Sequence, residues 1–162
     1  MSMVAEISQE EISAFWSRAT KSPGCWGWNG STDGAGYWKY FLRGKSIRVH
    51  RMAFELAYGP IPDGMVIDHI CHNRSCTNPK HLRFATRKQN AENLGAVRAN
   101  NKSGVRGVGL HEPSGKWRAV VMHNRKTYQV GYFHDIADAE AAVIAKRNEL
   151  FTHNTFDRRN AA

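Results

Sequence analysis

DHICHNRSCTNPKHLRFATRKQN, Asp68 to Asn90, carries two cysteines, three histidines and three asparagines, with almost no core-forming side chain. So polar a segment can hardly bury itself, which separates two roles: residues that hold it together and residues that act on something else. Cys71, Cys76 and His81 are spaced five and five apart, and Cys25 stands upstream after the Pro23-Gly24 turn. Cys₃His is a closed structural zinc set, and here it takes every cysteine of the chain. Small buried cysteines often just fill gaps in a core, but Asn, Ser, Thr and Arg surround these and leave no core to fill. His72 rivals His81 as the fourth ligand, although its position beside Cys71 forces it to reach back across the loop. Structural zinc contributes folding free energy directly, on the order of 10 kcal/mol in small peptides.

Working outward, the 162 residues allow one domain or two small ones, and 41% of them are apolar, ordinary for a soluble protein. No apolar run is long enough to span a bilayer and no signal-peptide core opens the chain, so a cytoplasmic protein is expected. An odd count of three cysteines without an export signal disfavours a disulfide framework and favours metal. The formal charge of +9 points to a polyanionic partner, with nucleic acid ahead of a membrane surface because no basic amphipathic helix is present. Charge is uneven: residues 97–126 hold seven basic side chains against one acid, and residues 135–157 hold two against five. A basic element followed by an acidic one suggests a binding surface with a solvated back.

Local patterns divide the chain. Ser8 with Glu11 forms a capping box, and Ile12, Phe15, Trp16 and Ala19 predict an amphipathic helix over 9–20. YWKYFLRGKSIRVHR predicts a hairpin of strands 37–42 and 47–49 around a Gly44-Lys45 turn, and RMAFELAY a helix over 51–58 ended by Gly59-Pro60. MVIDHI predicts a short strand, followed by a loop and a helix from about Thr86 to Leu94. GAVRANNKSG has no apolar period and predicts a linker. Beyond it, VRGVGLHE, KWRAVVMH and KTYQVGYF predict three strands joined by tight turns. Asp135 then caps a helix whose Ile136, Ala139, Ala142, Val143 and Leu150 form one apolar stripe to pack on the sheet.

The ordered set D-H, C-x4-C, N-P-x-H-L and a later Asn, with GCWGW, His50-Arg51 and GPIP upstream, resembles the ββα-metal or HNH nuclease superfamily, closest to its His-Cys box and phage forms. The resemblance covers roughly residues 24–94 and implies roles. His69 is the general base, because imidazole titrates near neutrality and can take the proton of an attacking water. Asn90 binds a hard divalent cation, Mg²⁺ or another, that stabilises the 3′ leaving oxygen, with Asp68 as second ligand. Asp68 and His69, as strand neighbours, can share a site only if the strand end twists. Asn78 either orients His69 through a hydrogen bond or simply forms an Asn-Pro turn. Arg51, with Arg48 second, is the arginine expected near the phosphate; either could instead be a plain phosphate contact or a solvated charge.

GVRGV, SGKWRA, a Gly-Tyr-Phe ending the third strand and the AEAA helix resemble, over residues 103–157, the Apetala-type or ethylene-responsive-factor DNA-binding domain. Gln129 stands where plant members carry a strand-three tryptophan, so their base preferences do not transfer. A strand ribbon fits the B-form major groove, where arginine forks match guanine. Arg106, Trp117 and Arg118 are then the expected base-proximal residues, with Lys116, Arg125, Lys126 and Tyr128 on phosphate and sugar; Trp117 reads equally as core.

Together these readings predict an α+β protein: an N-terminal amphipathic helix (1–24), a zinc-stabilised ββα-metal nuclease domain (25–94), a linker (95–102), a three-stranded antiparallel sheet packed on one helix (103–157) and a tail (158–162). The expected function is metal-dependent hydrolysis of double-stranded DNA, phage-encoded or homing, within the bacterial host cytoplasm if phage-encoded. A monomer is favoured over a dimer. The alternative is a non-catalytic zinc-containing DNA-binding regulator.

Overall fold

The computed structural model describes residues 7–95, 97 and 99–160. Residues 1–6, positions 96 and 98 of the expected linker and the last two residues of the expected tail lie outside the described residues. Two compact units divide the chain, Met1–Asn90 and Ala91–Ala162.

In the first unit, Ser8 and Glu11 cap each other's backbone N–H at 3.2 and 2.9 Å and start α1, Gln9–Trp16. The helix stops four residues short of the expected end. Ala19–Thr20 (β1) instead pairs antiparallel with Gly27–Trp28 (β2), which supplies backbone partners that a further helical turn would forgo. Phe15 thereby enters a core with Trp28, Tyr40, Leu42, Val49, Met52 and Ala53.

Strands β3 (Lys39–Leu42) and β4 (Lys45–Arg48) form a hairpin whose two-residue turn is Arg43-Gly44, not Gly44-Lys45. Both turn residues have positive φ, 48° and 74°, as the type I′ geometry that matches strand twist demands. The shift moves Val49 out of the strand and into α2, Val49–Tyr58, which therefore begins two residues earlier than its sequence pattern indicated.

β5 (Met65–His69) pairs antiparallel with β6 (Leu82–Thr86), in a register that sets Asp68 opposite Arg83 and His69 opposite Leu82. The sequence pattern predicts a loop here because Asn, Ser, Thr and Pro lead into this stretch, and pairing with β5 makes Leu82–Thr86 a strand. Thr86 and Gln89 then cap each other reciprocally at 3.2 and 2.8 Å and open α3, Arg87–Glu92, shorter than expected. Strand, loop, strand, helix is the order of a ββα unit.

In the second unit β7 (Val108–His111), β8 (Lys116–His123) and β9 (Lys126–Phe133) form one antiparallel sheet in that order. Asn124 and Arg125, with φ of 52° and 62°, make another tight turn. The Asp135 carboxylate accepts from the Ala137 N–H at 2.7 Å and caps α4, Ile136–Leu150. Ala139 and Val143 of α4 bury against Val108, Ala119 and Val121. The short helix α5, Thr155–Asn160, is tied back by the buried Arg147–Asp157 pair at 2.6 Å, and Arg147 also donates to the Arg106 carbonyl at 2.7 Å.

Candidate functional site

The ligand atoms of Cys25, Cys71, Cys76 and His81 all lie within 4.8 Å of one another. His81 Nδ1 stands 3.6 Å from the Cys25 sulfur and 3.5 Å from the Cys76 sulfur. Zn–S bonds near 2.3 Å and Zn–N bonds near 2.0–2.1 Å, at tetrahedral angles, require an N···S edge of about 3.5 Å. The donor set and its spacing therefore fit a tetrahedral metal such as zinc. His72 is outside the cluster; its φ of 58° marks a left-handed turn that carries the chain around between Cys71 and Cys76. The Cys71 thiol hydrogen bonds to Cys76, which pushes Cys71 up and Cys76 down. One sulfur of the set is thus already inclined towards thiolate, the form that binds metal.

The same loop reaches His69. Its Nε2 lies 3.2 Å from the carbonyl oxygen of Cys76. A carbonyl only accepts, so Nε2 carries the hydrogen and Nδ1 keeps the lone pair. Burial pushes the imidazole below its usual range, against the opposing pull of the Cys76 carbonyl and the Asp68 carboxylate. A neutral ring with its lone pair on Nδ1 is the form a general base needs.

The expected hydrogen bond from Asn78 to His69 is not made. Asn78 instead donates to the Gly24 carbonyl at 2.8 Å and accepts from the Lys80 N–H at 3.0 Å, opening a 3₁₀ turn at Pro79–His81. It is the Asn-Pro turn former, and it also ties the Cys25 approach to the His81 turn. Asp68 is buried, and Arg83 from the facing strand holds its Oδ2 at 2.9 Å through Nε and 2.8 Å through Nη2. Asn90 is half-buried on α3. Arg51 is half-buried in the first turn of α2, whereas Arg48 sits 4.5 Å over the Tyr37 ring.

Sequence reasoning assigned no role to Tyr37 or His50. Their rings are 4.9 Å apart, and the His50 ring is 4.9 Å from that of His69. Burial pushes His50 down to about 3, and its Nδ1 has no hydrogen-bond partner. No periodic signal pointed to it: in α2 it follows the core residue Val49 like any other helical position.

In the second unit, strand alternation separates the seven expected DNA contacts. Lys116 and Arg118 share the face turned away from α4, and Arg118 Nε donates to Gln129 at 3.3 Å. Arg125 occupies the exposed β8–β9 turn. Trp117, half-buried, packs against the Val108–Val143 core, the core placement weighed for it from the sequence. Tyr128 faces the helix side, with the Lys126 and Lys146 ammoniums 5.1 and 5.4 Å from its ring. Arg106 lies outside β7, and its guanidinium donates to the carbonyls of Glu92 at 3.1 Å and Leu94 at 2.6 Å. It holds carbonyls at and just beyond the C-terminal end of α3, a use that no spacing in the sequence announces.

Residues 48–92 match the HNH endonuclease family. Among curated proteins, protein 7.7 of Escherichia phage T7 is 41% identical over 70 residues, which is 43% of this chain and 54% of that protein. An uncharacterized HNH endonuclease of Acanthamoeba polyphaga mimivirus is 32% identical over 85 residues, 52% of this chain and 42% of that protein. The chain thus spans about half the length of these two relatives. No solved structure matches it. Protein 3.8 of Escherichia phage T7 is 32% identical over 114 residues, 70% of this chain and 91% of that protein. The chain therefore belongs to the same family as that phage protein, and its residues 48–92 are an HNH endonuclease domain.

Proposed function

We propose that the protein is a phage-type, metal-dependent DNA endonuclease that hydrolyses phosphodiester bonds. The observation that carries this reading is the His69 ring, buried and hydrogen-bonded through Nε2 to the Cys76 carbonyl. That contact fixes its tautomer and leaves Nδ1 to take a proton from an attacking water. Because Cys76 is also a ligand in the Cys₃His set, the clamp that folds the loop also aims the base. A hard divalent cation such as Mg²⁺, when bound, would neutralise charge on the scissile phosphate and the leaving oxygen.

Asn90, with its neutral carboxamide oxygen, and Asp68, steadied by Arg83, are the residues we assign to hold that cation. The orienting work expected of Asn78 passes to the Cys76 carbonyl, and Asn78 keeps the zinc loop in shape. The second unit resembles an Apetala-type reader, with Lys116, Arg118 and Arg125 turned to DNA. One such asymmetric reader per nuclease domain favours a monomer. Among the described residues no helix is long and apolar enough to cross a membrane.

Incubating supercoiled plasmid with and without Mg²⁺ tests the assignment. Nicked or linear product that depends on the cation is expected. Binding without any product, across Mg²⁺, Mn²⁺ and other divalent cations, would instead identify a non-catalytic DNA-binding regulator.

A further inference from the structure

The β3–β4 hairpin buries one face only. Tyr40 and Leu42 point into the core with Ile47 packed on them, so by alternation Lys39 and Phe41 point away. Across the ladder Lys39 faces Arg48 and Phe41 faces Ser46. Two cations directly opposite on one sheet face repel each other, and the Asp33 carboxylate, 2.9 Å from Arg48, offsets part of that repulsion. Phe41 is 64% exposed, an aromatic ring left in solvent between charged neighbours.

The positive charge continues past the hairpin. Arg48 lies over the Tyr37 ring, and the guanidinium of Arg74, from the loop between Cys71 and Cys76, lies 5.9 Å from the same ring. Arg48 is answered by Asp33 at 2.9 Å, whereas exposed Arg74 has no carboxylate partner among the described residues. Tyr37 is itself 6.0 Å, centroid to centroid, from His69. A line of cations carrying one apolar ring therefore runs from the hairpin to the proposed base.

We propose that this face, from Lys39 and Phe41 through Arg48 and Tyr37 to Arg74, is a docking track for the backbone of duplex DNA in the first unit. Lys39, Arg48 and Arg74 take successive phosphates, and Phe41 covers sugar or thymine-methyl surface at the groove edge. The inference rests on the reading of the protein as a DNA-acting enzyme, and it names how the nuclease unit itself grips its substrate. The several cations, with an exposed aromatic ring beside them and the proposed base at the far end, suit a polyanionic strand whose charge continues past any one contact.

The test is anisotropy of a labelled duplex oligonucleotide, measured without divalent cations across a KCl series, with zinc content and circular dichroism as folding controls. Each lost phosphate contact lowers the slope of log K against log salt by about 0.9. Lys39→Gln with Arg74→Gln should therefore reduce it by about 1.8. Phe41→Ser should weaken binding at every salt concentration and leave the slope alone. Unchanged slope and affinity in both variants, in a protein that still cleaves plasmid with Mg²⁺, would overturn the track and leave the nuclease reading intact. A reduced slope in a protein that cleaves nothing would support the track and remove the nuclease reading.

Discussion

At position 50 the chain keeps a histidine where a phenylalanine would fill the same space without an unsatisfied nitrogen. His50 is only 6% exposed, and its Nδ1 has no partner. Because burial lowers its folded-state pKa to about 3, from 6.5 in the unfolded chain, the unfolded state binds the extra proton between those values. Its contribution to stability is complete above pH 6.5 and is lost progressively as pH falls towards 3. Wild type should therefore lose about 2 kcal/mol more than His50→Phe between pH 7 and pH 5, at 1.36 kcal/mol per unit. Parallel denaturation curves for the two proteins at both pH values would contradict this. Asn78 makes a second residue-scale case. Asn78→Ala loses both the Gly24 bond and the cap on the Lys80 N–H, and should cost about 1–3 kcal/mol of unfolding free energy. Because His69 is oriented by a backbone carbonyl, the variant's cleavage rate with zinc fully loaded should change little; a loss as large as that of a missing base would restore Asn78 to the catalytic set.

Among the elements, β6 and the strand faces of the second unit hold the main lessons. The caps at Ser8 and Asp135 were legible because local hydrogen bonding depends on near neighbours in sequence, and the Cys₃His set because few other side chains offer soft donors, even though Cys25 stands 46 residues before Cys71. β6 was not, since LRFAT becomes a strand only by pairing with β5. Strand faces are hard to read for a related reason: which face a strand residue occupies depends on where the strand begins, and a shift of one residue reverses it, so the helix-side position of Tyr128 follows only from its pairing with Val121. The faces now seen separate two outcomes. Arg118→Ala should weaken duplex binding by about 1–3 kcal/mol and relax sequence preference if Arg118 reads a base, and equal weakening on all sequences would make it a phosphate contact. Arg106→Ala should lower the melting temperature of the second unit, because it leaves the carbonyls of Glu92 and Leu94 without their donor. An unchanged melting temperature would show that the guanidinium is dispensable there.

For the molecule as a whole, two units stand on different physics. The second has an apolar core between sheet and helix. The first has a small aromatic core together with a polar loop whose Cys₃His set fits a metal ion. Zinc binding worth on the order of 10 kcal/mol is as large as the whole stability of a typical domain, about 5–15 kcal/mol. Stripping zinc with a strong chelator should therefore unfold residues 25–94, seen as loss of amide protection there, and an unchanged melting curve would contradict the metal's structural role. The same loop places the Cys76 carbonyl 3.2 Å from His69 Nε2, so the proposed base and the proposed metal clamp share one loop. The most direct test of that centre is the single-turnover cleavage rate of His69→Ala in Mg²⁺, measured beside its zinc content and duplex affinity. A general base contributes about 10²–10⁴-fold, so the rate should fall by at least the lower figure while zinc and binding stay at wild-type levels. Cleavage at the wild-type rate would remove His69 from the mechanism.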